Sequence, residues 1–145
     1  MRAVVQRVST ATVCVESEVV GEMGAGLLCL VAARRGDESR QADEMARKLV
    51  QLRIFPDDDG RMNHSLLETG GDLAVVSQFT LYGDCTKGRR PFFGDAAAPE
   101  VAEPLIERLA ETARAEGVRV ITGRFGAQME VTLTNVGPVT ILVDI

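Results

Sequence analysis

Apolar positions along the chain switch between two periods, and the switches divide it into elements. Ala3 to Val8 is an apolar run, and Thr12 to Glu16 alternates, with Val13 and Val15 on one face and Thr12 and Cys14 on the other. Gly24 to Gly26 leads into Leu27 to Ala33, an uninterrupted apolar run that reads as a strand buried on both faces. The period then lengthens. Ala42, Met45, Ala46, Leu49 and Leu52 recur at three- and four-residue spacing, predicting an amphipathic helix with Asp37 or Ser39 as N-cap and an end near Arg53. Asp57-Asp58-Asp59-Gly60 reads as an Asp-Gly turn, because it lacks the alternate acids and distant glutamate of a calcium loop. Leu73 to Val76 starts a strand that continues into Ser77-Gln78-Phe79-Thr80-Leu81, and a glycine- and arginine-rich loop follows from Gly83 to Gly94.

Pro99 suits a helix first turn, Leu105, Leu109 and Ala113 form its stripe, and Gly117 is a natural residue just past its end. Pro104 interrupts that pattern: it kinks the helix or marks its true start, since an internal proline costs about 3 kcal/mol. Val118 to Thr122, Gln128 to Thr134 and Val139 to Asp144 read as closing strands, the last two joined by a turn at Asn135-Val136-Gly137-Pro138. Strands outnumber helices, and neither strand-helix alternation nor a Gly-x-Gly-x-x-Gly fingerprint is apparent. The expected class is α+β: a largely antiparallel, barrel-like sheet with two flanking helices, as a single domain over residues 1–145.

Composition narrows the function. The 145 residues are 46% hydrophobic, enough for a core, and no apolar run approaches the roughly 18 residues of a membrane helix. Arg2 and Arg7 interrupt the first ten residues, so no secretory signal is expected, and the reading is a cytoplasmic protein without membrane contact. Sixteen Lys and Arg against twenty-one Asp and Glu give a net charge of −5, so nucleic-acid contact requires a local basic patch. Cys14, Cys29 and Cys85 form neither a disulfide framework nor a metal motif and read as small core hydrophobes. His64 is the only histidine, which excludes multi-histidine metal sites; its polar neighbours predict a solvated turn. No metal or cofactor is implied.

Two segments look poorly suited to a purely structural role. Ser77-Gln78-Phe79-Thr80 places polar side chains where a strand leaves its ladder, and amides released there can face an anion or simply meet water. Gly137-Pro138 interrupts an apolar stretch with a residue that cannot donate to a ladder.

The motifs Ser77-Gln78-Phe79-Thr80-Leu81, Lys87-Gly88-x-Arg90-Pro91, Thr122-Gly123-Arg124-Phe125 and Asn135-x-Gly137-Pro138-Val139-Thr140 resemble those of D-aminoacyl-tRNA deacylases. Val5-Gln6-Arg7-Val8, Gly24-x-Gly26-Leu27-Leu28 and Arg53-Ile54-Phe55 resemble the same family, so the likeness spans essentially the whole chain. It implies a homodimeric hydrolase that cleaves the ester of D-aminoacyl-tRNA, and of mischarged Gly-tRNA, at the acceptor end while sparing L-aminoacyl-tRNA. The resemblance implies a pocket lined by Ser77, Gln78, Phe79 and Thr80, with Phe125 and Met129 at the same site. It further implies that Gly137 and Pro138 join through a cis bond and enter the partner's pocket. Lys87, Arg89 and Arg90, with Arg7 and Arg124 as possible neighbours, are the candidate phosphate contacts. Phe92 departs from the family's usual serine after Arg-Pro, and Pro104 departs from its helix pattern.

An aminoacyl ester is already activated and carries a neighbouring ribose 2′-hydroxyl, so its hydrolysis does not demand a histidine. Backbone amides around Phe79 and Thr80 are suitable oxyanion donors. A Thr80 nucleophile would require an adjacent base, and the sequence shows none. The competing readings are a non-catalytic module binding the tRNA acceptor end or D-amino acids, and a Ser77 or Cys85 hydrolase dependent on His64.

Overall fold

The computed structural model describes residues 1–145 and begins with a long strand, β1 (Arg2–Val15). Ala3, Val5, Val8, Ala11, Val13 and Val15 are buried, and the alternation slips between Val5 and Ala11. Pairing with the final strand, β8 (Glu130–Asp144), is irregular over the same stretch, between Gln6 and Thr10. The two short strands expected from the sequence are thus one strand bent by ladder irregularities, which reset its inward face. A tight turn at Glu16 and Ser17, both at positive φ, leads into β2 (Glu18–Met23), followed by β3 (Gly26–Ala32).

β1 pairs antiparallel with β2, β3 and β8. Beyond β3 the direction rule changes: β6 (Asp72–Ser77) pairs parallel with β3, and β7 (Val120–Thr122) pairs parallel with β6. The sheet is therefore mixed, where a largely antiparallel one was expected. Its order is β2-β1-β3-β6-β7, with β8 on β1. The backbones of β2 and β7 approach closely, and Arg119 Nη2 donates to the Glu22 carbonyl at 3.2 Å, so the sheet nearly closes into a barrel. Gly26 is required where β3 meets β6: a Cβ there would lie 1.9 Å from the Asp72 carbonyl oxygen.

Helix α1 (Ser39–Gln51) starts at Glu38, whose side chain forms a capping box with Gln41. The expected cap Asp37 is otherwise engaged, accepting from the Arg34 amide at 2.6 Å and pairing with the Met1 ammonium at 2.9 Å. A small hairpin, β4 (Phe55–Pro56) and β5 (Met62–His64), and the short helix α2 (Leu66–Thr69) precede β6. Three helices thus accompany the sheet rather than two. Helix α3 (Pro99–Ala115) connects β6 to β7 as a parallel crossover and continues through Pro104. Gly117, at φ 95°, follows its cap.

Helices α1 and α3 are tied by Asp43, which accepts from Arg108 twice at 2.8 Å and from the Thr112 hydroxyl at 2.9 Å. The paired guanidinium lowers the Asp43 pKa to about 2. Met45, Leu49 and Leu109 of these helices pack with Leu27 and Leu73 in the main core. No helix is long and apolar enough to cross a membrane.

The last strand corrects another expectation. Leu133 pairs with Ala11 and Ile141 pairs with Val5, so the chain does not reverse at Gly137-Pro138. β8 is one 15-residue strand with a bulge at this point. Glycine and proline signal a broken ladder, and a bulge breaks it as effectively as a turn.

Candidate active site

Where β6 ends, the chain tightens into a 3-10 helix, Phe79–Tyr82, instead of extending the strand. The Gln78 amide still donates to the Val31 carbonyl at 2.8 Å, and the Leu81 amide returns to the Gln78 carbonyl at 3.2 Å. Between them the amides of Phe79 and Thr80 have no acceptor. Two adjacent free donors at the end of a strand suit an oxyanion.

They stand beside a cavity of about 570 Å³ whose 18 lining residues include 14 hydrophobic ones. Ser77, Gln78 and Phe79 form one edge, and Phe125 and Met129, from the segment between β7 and β8, form another. Ala102 and Ile106 of α3 supply the floor, with Ala32 and Ala33 at the end of β3. Phe93, Ala96 and Ala97 complete the wall from the connection into α3. Phe93 meets Phe79 edge to face, their centroids 5.1 Å apart. No lining side chain is titratable.

Thr80 is exposed and outside the lining; its hydroxyl is hydrogen-bonded by Gln78 Nε2. His64 lies on β5, its Nδ1 3.9 Å from Glu68 Oε1, and is not part of the cavity wall. Cys85 is exposed on the following loop and also outside the wall. A crevice of about 70 Å³ adjoins the cavity through the shared residues Ser77, Ile106 and Phe125, and contains Glu103 and Glu107.

Lys87, Arg89 and Arg90 are exposed in a loop closed by reciprocal backbone bonds between Asp84 and Phe92, at 2.8 and 2.9 Å. The next residue, Phe93, enters the cavity wall, so the loop stands at its rim. The structure does not bring Arg7 or Arg124 into this group. Arg124 pairs with Glu18 at 3.2 Å, and Arg7 donates to the carbonyls of Ile54 and Val136 at 2.6 and 3.4 Å.

Gly137 and Pro138 are exposed, joined by a cis peptide, and absent from their own chain's cavity wall. Gly137 has φ 117°, and a Cβ there would lie 2.9 Å from Arg7 Nη2. Sequence reasoning missed Phe93, Ala96, Ala97, Ala102 and Ile106 as wall residues. Alanines and a helix-face isoleucine carry no local mark of a pocket; only the packing of α3 over the β6 end gathers them.

A nearly closed mixed sheet with an apolar cavity, and free amides where one strand leaves it, is the candidate ligand-binding site. The chain matches the family model for D-Tyr-tRNA(Tyr) deacylase over residues 4–144. It is 58% identical over 144 residues to the D-aminoacyl-tRNA deacylase of Roseiflexus sp. (strain RS-1), covering 99% of this chain and 93% of that one. The D-aminoacyl-tRNA deacylase of Clostridioides difficile (strain 630) is 54% identical, with 99% and 97% covered. Among solved structures, the c-Myc DNA unwinding element binding protein superposes with a TM-score of 0.92 at 36% identity, covering 99% of this chain and 98% of that one. A probable eukaryotic D-amino acid tRNA deacylase gives 0.85 at 23% identity, with the same coverage, and shows the shared fold. The chain belongs to the D-Tyr-tRNA(Tyr) deacylase family, and is an enzyme of the carboxylic ester hydrolase class.

Proposed function

We propose that this deacylase hydrolyses the ester of D-aminoacyl-tRNA and of Gly-tRNA, spares L-aminoacyl-tRNA, and does so without a protein acid or base. The observation that carries this reading is the cavity wall: it has polar and apolar groups but no titratable side chain. The catalytic contribution then falls to the free amides of Phe79 and Thr80, aimed at the oxyanion that forms when water adds to the ester carbonyl. The terminal ribose 2′-hydroxyl assists the water. The bond between the acyl carbon and the ribose 3′-oxygen then breaks, and that oxygen leaves with a proton, giving free amino acid and tRNA. Ser77, Gln78 and Thr80 shape the amide pair. Thr80 as nucleophile has no supporting base, since its visible partner is the Gln78 carboxamide.

Selection acts at the α-carbon. Gly137 and Pro138 are exposed and take no part in their own chain's cavity wall, which supports a homodimer in which each pair enters the partner's pocket. Their carbonyls accept from the substrate ammonium and fill the space an L side chain requires; a D side chain points outward. Glycine has no side chain to exclude, so Gly-tRNA is also a substrate. Because the amino-acid side chain is not read, the apolar cavity, bordered by Phe125 and Met129, serves the terminal adenine. Lys87, Arg89 and Arg90 contact acceptor-end phosphates, offsetting a chain charge of −5. The cytoplasm, where tRNA is charged, is the proposed location.

Deacylation of D-Tyr-tRNA, L-Tyr-tRNA and Gly-tRNA tests the substrate range, and D-Tyr-tRNA ending in 2′-deoxyadenosine tests the mechanism. Rapid loss of the D and glycyl esters, a stable L ester and a slow 2′-deoxy substrate are expected. Equal D and L rates refute the chiral filter; an unaffected 2′-deoxy substrate requires a protein group in place of the ribose hydroxyl.

A further inference from the structure

Between the Val8–Asn135 pair and the Gln6–Thr140 pair, β1 advances two residues while β8 advances five. Val136 to Val139 therefore stand opposite Arg7 alone, as an excursion whose ends need fixing. The side chain of Asn135 fixes them: its Nδ2 donates to the Val139 carbonyl at 3.0 Å, spanning Gly137 and Pro138. A carbonyl can only accept, so this bond sets which way the carboxamide points. Its other end, Oδ1, is buried with no donor. Unpaired buried acceptors are uncommon, and the only polar contact that this side chain makes in exchange is the bond across the excursion. Arg7 also reaches the excursion, its Nε donating to the Val136 carbonyl at 3.4 Å.

We propose that Asn135 is a positioning residue for chiral selection, its side-chain amide setting the direction in which the Gly137 and Pro138 carbonyls are presented. The inference rests on the reading of those carbonyls as ammonium acceptors in the partner's pocket. Asn135 does not touch substrate; it acts through the chord it draws across the excursion. Slackening the chord lets the carbonyls move by the fraction of an ångström to an ångström that separates excluding an L side chain from admitting it.

Asn135→Asp keeps the size and places a carboxylate oxygen against the Val139 carbonyl, two acceptors with no proton between them. Asn135→Ala removes the donor without adding charge and guards against a folding defect specific to the aspartate. Rates on D-Tyr-tRNA and L-Tyr-tRNA are measured for the full-length protein, together with amide hydrogen exchange at Val136, Gly137 and Val139. Expected are a D-to-L ratio of kcat/KM at least tenfold lower in both variants, chiefly through faster L hydrolysis, and faster exchange confined to the excursion. D and L rates that fall in parallel at constant ratio indicate a purely structural asparagine and overturn the proposal. If the unsubstituted protein itself fails to discriminate D from L, the carbonyl reading fails separately. Exchange then decides the positioning claim, and unchanged protection in both variants overturns it.

Discussion

Replacing Gly137 by alanine perturbs the excursion of β8 at its tip. The residue sits at φ 117°, where a side chain is strained regardless of space. The added Cβ would also lie 2.9 Å from Val139 Cγ2, 2.9 Å from Arg7 Nη2 and 3.2 Å from the Val139 nitrogen. The guanidinium can swing aside only by disturbing its 2.6 Å bond to the Ile54 carbonyl. A non-glycine residue in such a conformation costs about 1–3 kcal/mol. Because Gly137 and Pro138 are exposed, the chain relieves this strain more cheaply by shifting the excursion than by unfolding. At roughly 1.4 kcal/mol per tenfold, the native placement of the carbonyls loses roughly one to two powers of ten in population. The expected result is a comparable fall in kcat/KM for D-Tyr-tRNA, a narrowed gap to L-Tyr-tRNA, and a melting temperature lower by at most several degrees. Gly36→Ala is the control: it has φ 89°, nothing within 4 Å of its Cβ, and no place in the cavity wall. It should lose stability while its rates stay unchanged. Wild-type rates on both enantiomers for Gly137→Ala, with a melting loss no different from the control, would refute the reasoning.

Alanine at Lys87, Arg89 and Arg90 together should weaken tRNA binding across tRNA species and reduce the slope of log affinity against log salt by about 2–3, read by binding titrations at several ionic strengths. His64→Ala and the pair Glu103→Gln, Glu107→Gln should each leave D-Tyr-tRNA turnover within a few-fold of wild type; a loss of several orders of magnitude with an intact fold would restore a side-chain base. Asp43, held at about 2 by Arg108 and Thr112, contributes stability that is present above the ordinary carboxylate range and is lost as pH falls from about 4 towards 2. Asp43→Asn should therefore be less stable than wild type at pH 7, and denaturant titrations should show the difference closing over that acidic interval.

Much of the fold was legible because burial leaves a period. The uniform run Leu27 to Ala33 matched a strand flanked on both sides, and the three- and four-residue spacing of α1 and α3 identified their inner faces. β2 was missed because it is largely exposed and enters through Glu16-Ser17, which lacks the glycine or asparagine usual at positive φ. The strand, helix and strand from β6 through α3 to β7 were each legible, but their parallel pairing was not, because which strands become neighbours is set by long-range packing and leaves no local period. Ser77 to Thr80 stood out as a polar end to an apolar strand, but the turn into a 3-10 helix, which frees two amides, has no sequence mark of its own. Gly137-Pro138 was legible as a break in the ladder; that both flanking halves return to β1 depends on long-range pairing.

The most direct test is a crystal structure of the protein with a non-hydrolysable 3′-amide analogue of D-tyrosyl-adenosine. A two-fold dimer is expected, with the analogue's carbonyl oxygen about 2.7–3.1 Å from the amides of Phe79 and Thr80. The ammonium should rest on the carbonyls of the partner's Gly137 and the partner's Pro138, the adenine in the apolar cavity, and the tyrosyl side chain outside it. A tyrosyl ring buried in that cavity, with Gly137 and Pro138 of both chains facing solvent, would contradict it.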